Sequence, residues 1–284
     1  MIKKKSPLSL VTLSATLSLG IALIPRLSTQ VQAQSQPIAQ AVSASFPESV
    51  HLDFKSPPTN GEPKQSGTTG TRGECGSAKG SLPFLTPLTP GTIQGLTEKK
   101  EGTVSEYPTL VSEYPTLTIS EYPTFFVYVP QTSAQRVRFV LTEKNSHEIY
   151  KTFPLPSTPG IVSVTLPADK PPLEIGKVYK WSFSIICKPG DSSQNITVYG
   201  WVKRTEPNPA LLKALEKATP LERAALYGEY GIWHETLTTL ANLRRSQPQE
   251  STLVVKWTEL LKSEPVKLSA ISQAPLVECC TLEN

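Results

Sequence analysis

The chain has 284 residues, with 28 Lys and Arg against 24 Asp and Glu, for a net charge of +4. Four of those basic residues (Lys3, Lys4, Lys5, Arg26) and no acidic one fall in residues 1–33, so the rest of the chain is charge-balanced. That balance argues against a nucleic-acid partner or an anionic membrane surface, both of which need an excess of positive charge.

Residues 1–33 read as a secretory signal peptide. A Lys-rich start leads into an apolar run from Pro7 to Ile24, and Val31-Gln32-Ala33 offers small residues where a signal peptidase reads. A second candidate cut lies after Ala41, in Ala39-Gln40-Ala41. The run is short for a membrane span and is broken by Ser, Thr and Gly. The expected product is exported, to the periplasm or the extracellular space, with no transmembrane span after signal removal. Residues 34–82 are rich in Ser, Gly, Pro, Gln and Thr, a composition that cannot offset its own ordering entropy, so a disordered leader is expected. Within it Gly67-Thr68-Thr69-Gly70-Thr71-Arg72-Gly73 has the look of a phosphate loop but lacks the Lys-Ser/Thr ending, and reads as a linker into Cys75.

Residues 83–204 carry strand signals and are expected to form an antiparallel β-sandwich. The segment Val104–Phe125 repeats one phrase three times, as VSEYPTL, VSEYPTL and ISEYPTF. Each copy holds a Pro, which cannot donate to a β-ladder. The third runs into the apolar stretch Phe125–Val129, so it should open a strand, and the first two should loop out at the sheet edge. A seven-residue unit is too small for a solenoid. Arg136–Thr142, Glu148–Phe153, Val162–Leu166, Tyr179–Cys187 and Ile196–Lys203 follow, several alternating apolar and polar between turn residues. Leu173, Gly176, Tyr179 and Trp181 are spaced as in the approach to a tyrosine corner, which makes the sandwich immunoglobulin- or fibronectin-like. Trp201 stands on the opposite parity from Val198 and Val202. It is a candidate to stack on a ligand, or to pack against the helices.

Residues 205–263 switch to helical spacing. Asn208-Pro209 starts one helix, and Thr219-Pro220-Leu221-Glu222 is a capping box for the next. Gly231 stops that helix, Trp233 to Leu243 form the third, and Ser251 is expected to cap the fourth. The stretch 220–245 resembles one tetratricopeptide unit, too little for a groove by itself. Residues 264–284 form a tail.

The four cysteines Cys75, Cys187, Cys279 and Cys280 suit disulfides in an oxidising compartment. A bond between neighbours closes a tight ring, so Cys75 and Cys187 are both expected to pair with the tail and tie it back. A four-sulfur zinc site is the competing reading, though no C-x-x-C spacing is present. No catalytic, cofactor-binding or metal-binding residue is assigned. His51, His147 and His234 are scattered, and His234-Glu235 reads as a solvated helix start with its acid at the positive end of the dipole. No G-x-S-x-G, H-E-x-x-H or dinucleotide fingerprint is present, and no acidic pair is singled out for glycoside hydrolysis.

Gly70-Thr71-Arg72-Gly73-x-Cys75, Pro123-Thr124-Phe125 to Tyr128-Val129-Pro130, Phe153-Pro154-Leu155-Pro156, Pro159-Gly160-Ile161, Leu173 to Trp181, Cys187, Gly200-Trp201-Val202, Leu226-Tyr227 to Trp233 and Val277-Glu278-Cys279-Cys280 together resemble the cyanobacterial exported proteins grouped as domain-of-unknown-function family 928. The resemblance implies no activity and no site residue. The two additional SEYPT copies depart from the family pattern. The expected function is therefore a non-catalytic protein-interaction or scaffold module with an envelope protein partner. The alternative is an envelope polysaccharide or small-ligand binding protein, with hydrolysis left open.

Overall fold

The computed structural model describes residues 50–57, 67–70, 75, 84–94, 109–111, 114–143 and 146–280. The signal peptide, both candidate cleavage sites, most of the leader and most of the first repeat copy lie outside the described residues. Among the described residues no helix is long and apolar enough to cross a membrane.

The architecture is α+β, in three layers. The outer sheet is built on β7 (Arg136–Glu143), β8 (Ser146–Pro154), β10 (Val178–Ile185) and β11 (Ile196–Arg204), paired antiparallel in the order β11-β10-β7-β8. Two short strands share the free edge of β11. β1 (Gly67–Gly70) runs antiparallel along Ile196–Tyr199, and β5 (Thr116–Thr118) runs parallel along Val202–Arg204. The middle sheet contains β2 (Thr86–Pro87), β6 (Thr124–Val129) and β9 (Gly160–Thr165). A separate ladder joins β3 (Thr92–Gln94) to β4 (Thr109–Val111). The third layer is helical: α1 (Pro209–Leu215), α2 (Pro220–Glu229), α3 (Trp233–Ser246) and α4 (Ser251–Lys262).

The middle sheet is covered on both faces, which explains its unbroken apolar run. Phe125, Val127 and Val129 point into the core shared with Phe139, Trp181, Phe183 and Val198 of the outer sheet. Phe126, Tyr128 and Ile161 point the other way, into a core with Trp233, Leu240, Trp257 and Leu260 of the helices. A strand buried on both sides has no polar face to alternate with. The strands of the outer sheet have one core face, and β10 duly alternates along Tyr179, Trp181, Phe183 and Ile185. The Tyr179 hydroxyl accepts the Glu174 N–H at 3.0 Å, a bond to the backbone of the preceding loop.

Four expectations are corrected. First, the leader is not wholly loose. Residues 50–57 run extended against the helices, with Leu52 and Phe54 buried and the Phe54 ring 4.8 Å from that of Trp233. The Lys55 N–H donates to Gly228 O at 3.0 Å, and a Cβ on Gly228 would sit 2.6 Å from Asp53 O. Two inward apolar residues suffice because α2 offers a backbone acceptor with no side chain in the way. Second, Gly67–Gly70 is strand β1, since backbone pairing with β11 needs no side-chain signal. Third, the end of the second repeat copy is not looped out. Thr116 and Thr118 of β5 are buried on the sheet edge. Fourth, Glu250 rather than Ser251 caps α4, its carboxylate accepting the Thr252 N–H at 3.1 Å. The Asn208 cap and the Thr219–Glu222 capping box form as read.

The cysteine pairing also differs from expectation. Cys75 bonds Cys187, and Cys279 bonds its neighbour Cys280. The first bridge spans 112 residues and fastens the chain beyond β1 to the chain beyond β10. The tail is instead tied back by its backbone. The Ile161 N–H donates to Pro275 O at 2.7 Å, and the Val277 N–H donates to Ile161 O at 2.9 Å. A Cβ on Gly160 would meet Pro275 O at 2.7 Å, so the approach depends on that glycine.

Candidate functional site

Helix α3 carries charged or titratable side chains at both ends, and the two ends are used differently. At its start, His234 is buried, not solvated. Its Nδ1 lies 2.9 Å from Thr124 O, a carbonyl that can only accept, so Nδ1 bears the proton. Its Nε2 lies 2.8 Å from Thr116 Oγ1, which is also 3.0 Å from Trp201 O. Burial holds the imidazole down at about 4, only partly countered by the bond to Thr124. Glu235 Oε1 accepts from Thr118 Oγ1 at 2.6 Å, from Ser120 N at 3.0 Å and from Ile119 N at 3.2 Å. Burial pushes the Glu235 carboxyl above its ordinary value, against those three bonds, and Oε2 is inaccessible and unpartnered. Both ring nitrogens of His234 are engaged, so neither is available as an accessible base. The pair fixes the third repeat copy. Elsewhere in that copy Glu121 Oε1 meets Arg204 Nη2 at 3.2 Å, and Pro123 O accepts the Leu166 N–H at 3.1 Å.

That anchored copy presents Tyr122 to a recess of about 550 Å³ at the other end of α3. Arg245 enters it from the last turn of α3, Ser163 and Thr165 from β9, and Glu278 with the Cys279–Cys280 disulfide from the tail. Arg245 Nη2 donates to Ser163 Oγ at 3.0 Å. Its Nε is inaccessible to solvent and has no hydrogen-bond partner; the nearest acid oxygen, Glu278 Oε1, stands 3.6 Å away. The Glu278 side chain is 85% exposed, so this ion pair is loose. Neighbouring Arg244 turns away, its guanidinium 5.0 Å over the Trp257 ring and its basicity lowered by burial. Thr165 Oγ1 is 2.9 Å from Thr124 Oγ1. The recess thus combines one cation, one acid, the hydroxyls of Ser163 and Thr165, and a wall of Tyr122, Leu166 and the disulfide. It holds no nucleophile–base pair among the described residues.

A second concavity, about 600 Å³, lies between residues 50–55 and helices α1 and α2. Three of its charged groups already have partners. Lys55 Nζ is 3.2 Å from Glu229, and the Glu222 carboxylate closes the α2 capping box, where the Thr219 N–H holds it below its ordinary value. No group of three His, Cys, Asp or Glu side chains that could hold a metal occurs among the described residues.

Of the residues singled out by sequence, Cys279 and Cys280 line the recess. Cys75 and Cys187 do not line it; both lie against the core of the two sheets. Trp201 is half-buried on the face of β11 turned from that core, with Lys180 Nζ 5.8 Å from its ring centre and 4.6 Å from that of Tyr199. Sequence reading missed Arg245, Glu278 and Tyr122 as a group. Arg244-Arg245 reads as an ordinary basic helix end, and Tyr122 is hidden among three like tyrosines. The usable signal was Glu278 placed directly before two adjacent cysteines.

No curated protein and no solved structure matches the chain. The family model described as Domain of Unknown Function (DUF928) matches residues 67–276, which takes in the sheets, the helices and the start of the tail. The chain belongs to that family.

Proposed function

We propose that this is an exported, non-catalytic binding protein of the cell envelope, with the recess at the end of α3 as its ligand site. The observation that carries the reading is a concavity of about 550 Å³ in which a buried guanidinium N–H lacks an acceptor. Small-molecule sites have this form: mostly apolar walls, a few polar groups, and volumes of roughly 300–1,000 Å³. The Cys75–Cys187 disulfide supports an oxidising compartment. The Lys-rich, apolar start of the sequence supports export, and the ordered family residues support a cyanobacterial envelope. On this reading residues 1–33 are removed, 83–204 form the sheet body, 205–263 the helical segment and 264–284 the tail. The Tyr179 corner favours kinship with immunoglobulin- and fibronectin-like sandwiches.

A protein-interaction or scaffold role is the second reading. It is favoured by the exposed apolar residues Leu212 on α1 and Val254 and Val255 on α4. Kinship of α2 and α3 with a tetratricopeptide pair does less for it, because residues 50–57 already pack Leu52 and Phe54 against these helices.

The test is a glycan and small-ligand array probed with oxidised protein lacking residues 1–33, followed by the same array with Tyr122→Ala. Binding that the substitution removes supports the recess. Binding unchanged by it moves the site elsewhere. An empty array beside a partner recovered from envelope extracts supports the scaffold reading.

A further inference from the structure

We propose that the recess selects a carboxylate-bearing sugar, a uronic acid unit, and that Glu278 is an internal carboxylate which the ligand displaces from Arg245. The inference rests on the reading that the recess is a ligand site, and adds which ligand it takes.

Three observations lead there. The first is the unused donor. Arg245 Nη2 is satisfied by Ser163, whereas Nε is closed to water and has no acceptor within hydrogen-bond distance. Buried N–H groups are nearly always paired; other buried atoms such as Arg244 Nη1 and Trp257 Nε1 also lack partners, but of these residues Arg245 is the one that lines the recess. The second is what already stands nearby. Glu278 Oε1 is 3.6 Å from that same Nε, too long for a hydrogen bond, on a side chain 85% exposed. A carboxylate is thus drawn to this position but not seated. A guanidinium presents a planar fork that matches a carboxylate through two parallel N–H···O bonds, and a seated ligand would complete what Glu278 leaves open. The third is the remainder of the wall. Ser163 and Thr165 bring hydroxyls, while Tyr122, Leu166 and the Cys279–Cys280 disulfide bring apolar surface. Hydroxyls beside an aromatic and apolar wall suit a sugar ring, with polar edges and a C–H face.

Charge decides between anions. Among the described residues lining the recess Arg245 is the only cation and Glu278 the only acid. A single carboxylate neutralises Arg245 once Glu278 swings into solvent. A phosphate dianion would be left with one uncompensated charge even with Glu278 swung away. A neutral sugar could offer Nε a hydroxyl oxygen, but neither the charge nor the two-oxygen fork that matches the guanidinium. The tail position of Glu278 makes displacement easy: the last backbone bond holding the tail to β9 is from Val277, the residue before it.

The experiment is calorimetric titration of the oxidised protein lacking residues 1–33 with trigalacturonate, galactotriose and inorganic phosphate. Trigalacturonate should bind at least tenfold tighter than the other two. Arg245→Gln should weaken it at least tenfold, with Arg245→Lys recovering part of the loss. Glu278→Gln should tighten it several-fold, and because that side chain is exposed the variant keeps the test decisive even if Arg245→Gln misfolds. Equal binding of galactotriose, lost in Tyr122→Ala, would overturn the carboxylate selection while leaving the recess as a sugar site. Equal binding of phosphate would overturn the charge argument. No binding of any probe to the recess would remove both the inference and the reading beneath it.

Discussion

The two ends of helix α3 make opposite use of buried charge. At the start, His234 engages both ring nitrogens and Glu235 Oε1 takes three donors, one from Thr118 and two from Ile119 and Ser120 of the third repeat copy. At the finish, Arg245 makes one hydrogen bond and holds an N–H closed to solvent with no acceptor. The two disulfides repeat the contrast. Cys75–Cys187 ties together segments 112 residues apart, whereas Cys279–Cys280 spans neighbours and lines the recess. A polar group whose partners come from the same chain is part of the architecture. Glu235 Oε2 also lacks a partner but lines neither concavity, whereas Arg245, with its unpartnered Nε, lines the recess.

The contrast can be broken most forcefully at the disulfides. Replacing Cys75 and Cys187 with Ser should cost about 5 kcal/mol by the loop-closure model, read as a fall in the urea midpoint of unfolding. Replacing Cys279 and Cys280 should cost under about 1 kcal/mol, since almost no loop is closed, while altering the recess wall. If the second pair proved the costlier, the division between architecture and site would be wrong.

At the start of α3, Glu235→Ala strands the Ile119 and Ser120 N–H groups and the Thr118 hydroxyl together. About 3 kcal/mol should be lost, because each buried donor without a partner costs about 1–3 kcal/mol and solvent reaches some of them. A loss under 1 kcal/mol would mean that the repeat copy is held by other contacts.

His234 adds a pH dependence. The folded imidazole titrates at about 4 and the unfolded one at 6.5, so between those values the unfolded chain binds more protons. Its contribution is therefore whole above pH 6.5 and is lost as pH falls towards 4, amounting to about 3 kcal/mol at most. Glu235 works in the other direction. Its folded carboxyl is raised, so it takes up a proton before the unfolded one, and its contribution improves as pH falls. Comparing urea midpoints of wild type and His234→Gln between pH 7 and 4 isolates the histidine. The variant should lose less stability over that range, and parallel curves would refute the assignment.

The smallest stability effect belongs to Glu278→Gln. A loose ion pair at an exposed side chain contributes about 0–1 kcal/mol. A measurable drop in the unfolding midpoint would mark Glu278 as a structural residue.

Sequence legibility followed the source of each element's stability. β10 alternates in sequence because one face meets the core, and α2 announces itself through Thr219, Pro220 and Glu222. The run Phe125–Val129 signals a strand, but not that helices cover its second face, since burial on both sides erases the alternation. β1 and the segment 50–57 were illegible for a related reason. β1 pairs through its backbone with β11, and the segment 50–57 rests on the Phe54–Trp233 contact and one backbone bond to Gly228, partners more than 100 residues away that no local pattern records. The start of α3 was misread because His-Glu at a helix start usually faces water, and only the return of the third repeat copy supplies N–H groups that draw Glu235 inward. The recess was the least visible feature. It gathers Tyr122, Ser163, Arg245 and Glu278 from four separate stretches, and neighbouring cysteines read as mutually exclusive partners rather than as one wall.

The most direct measurement is the pair of urea unfolding curves for Glu235→Ala and Arg245→Gln, recorded beside wild type at neutral pH. The unfolding free energy should fall by about 3 kcal/mol for Glu235→Ala and by no more than about 1 kcal/mol for Arg245→Gln, which forfeits one partly exposed hydrogen bond. Equal losses, or a larger loss for Arg245→Gln, would show that both ends of α3 serve the fold and that the recess holds no group in reserve for a ligand.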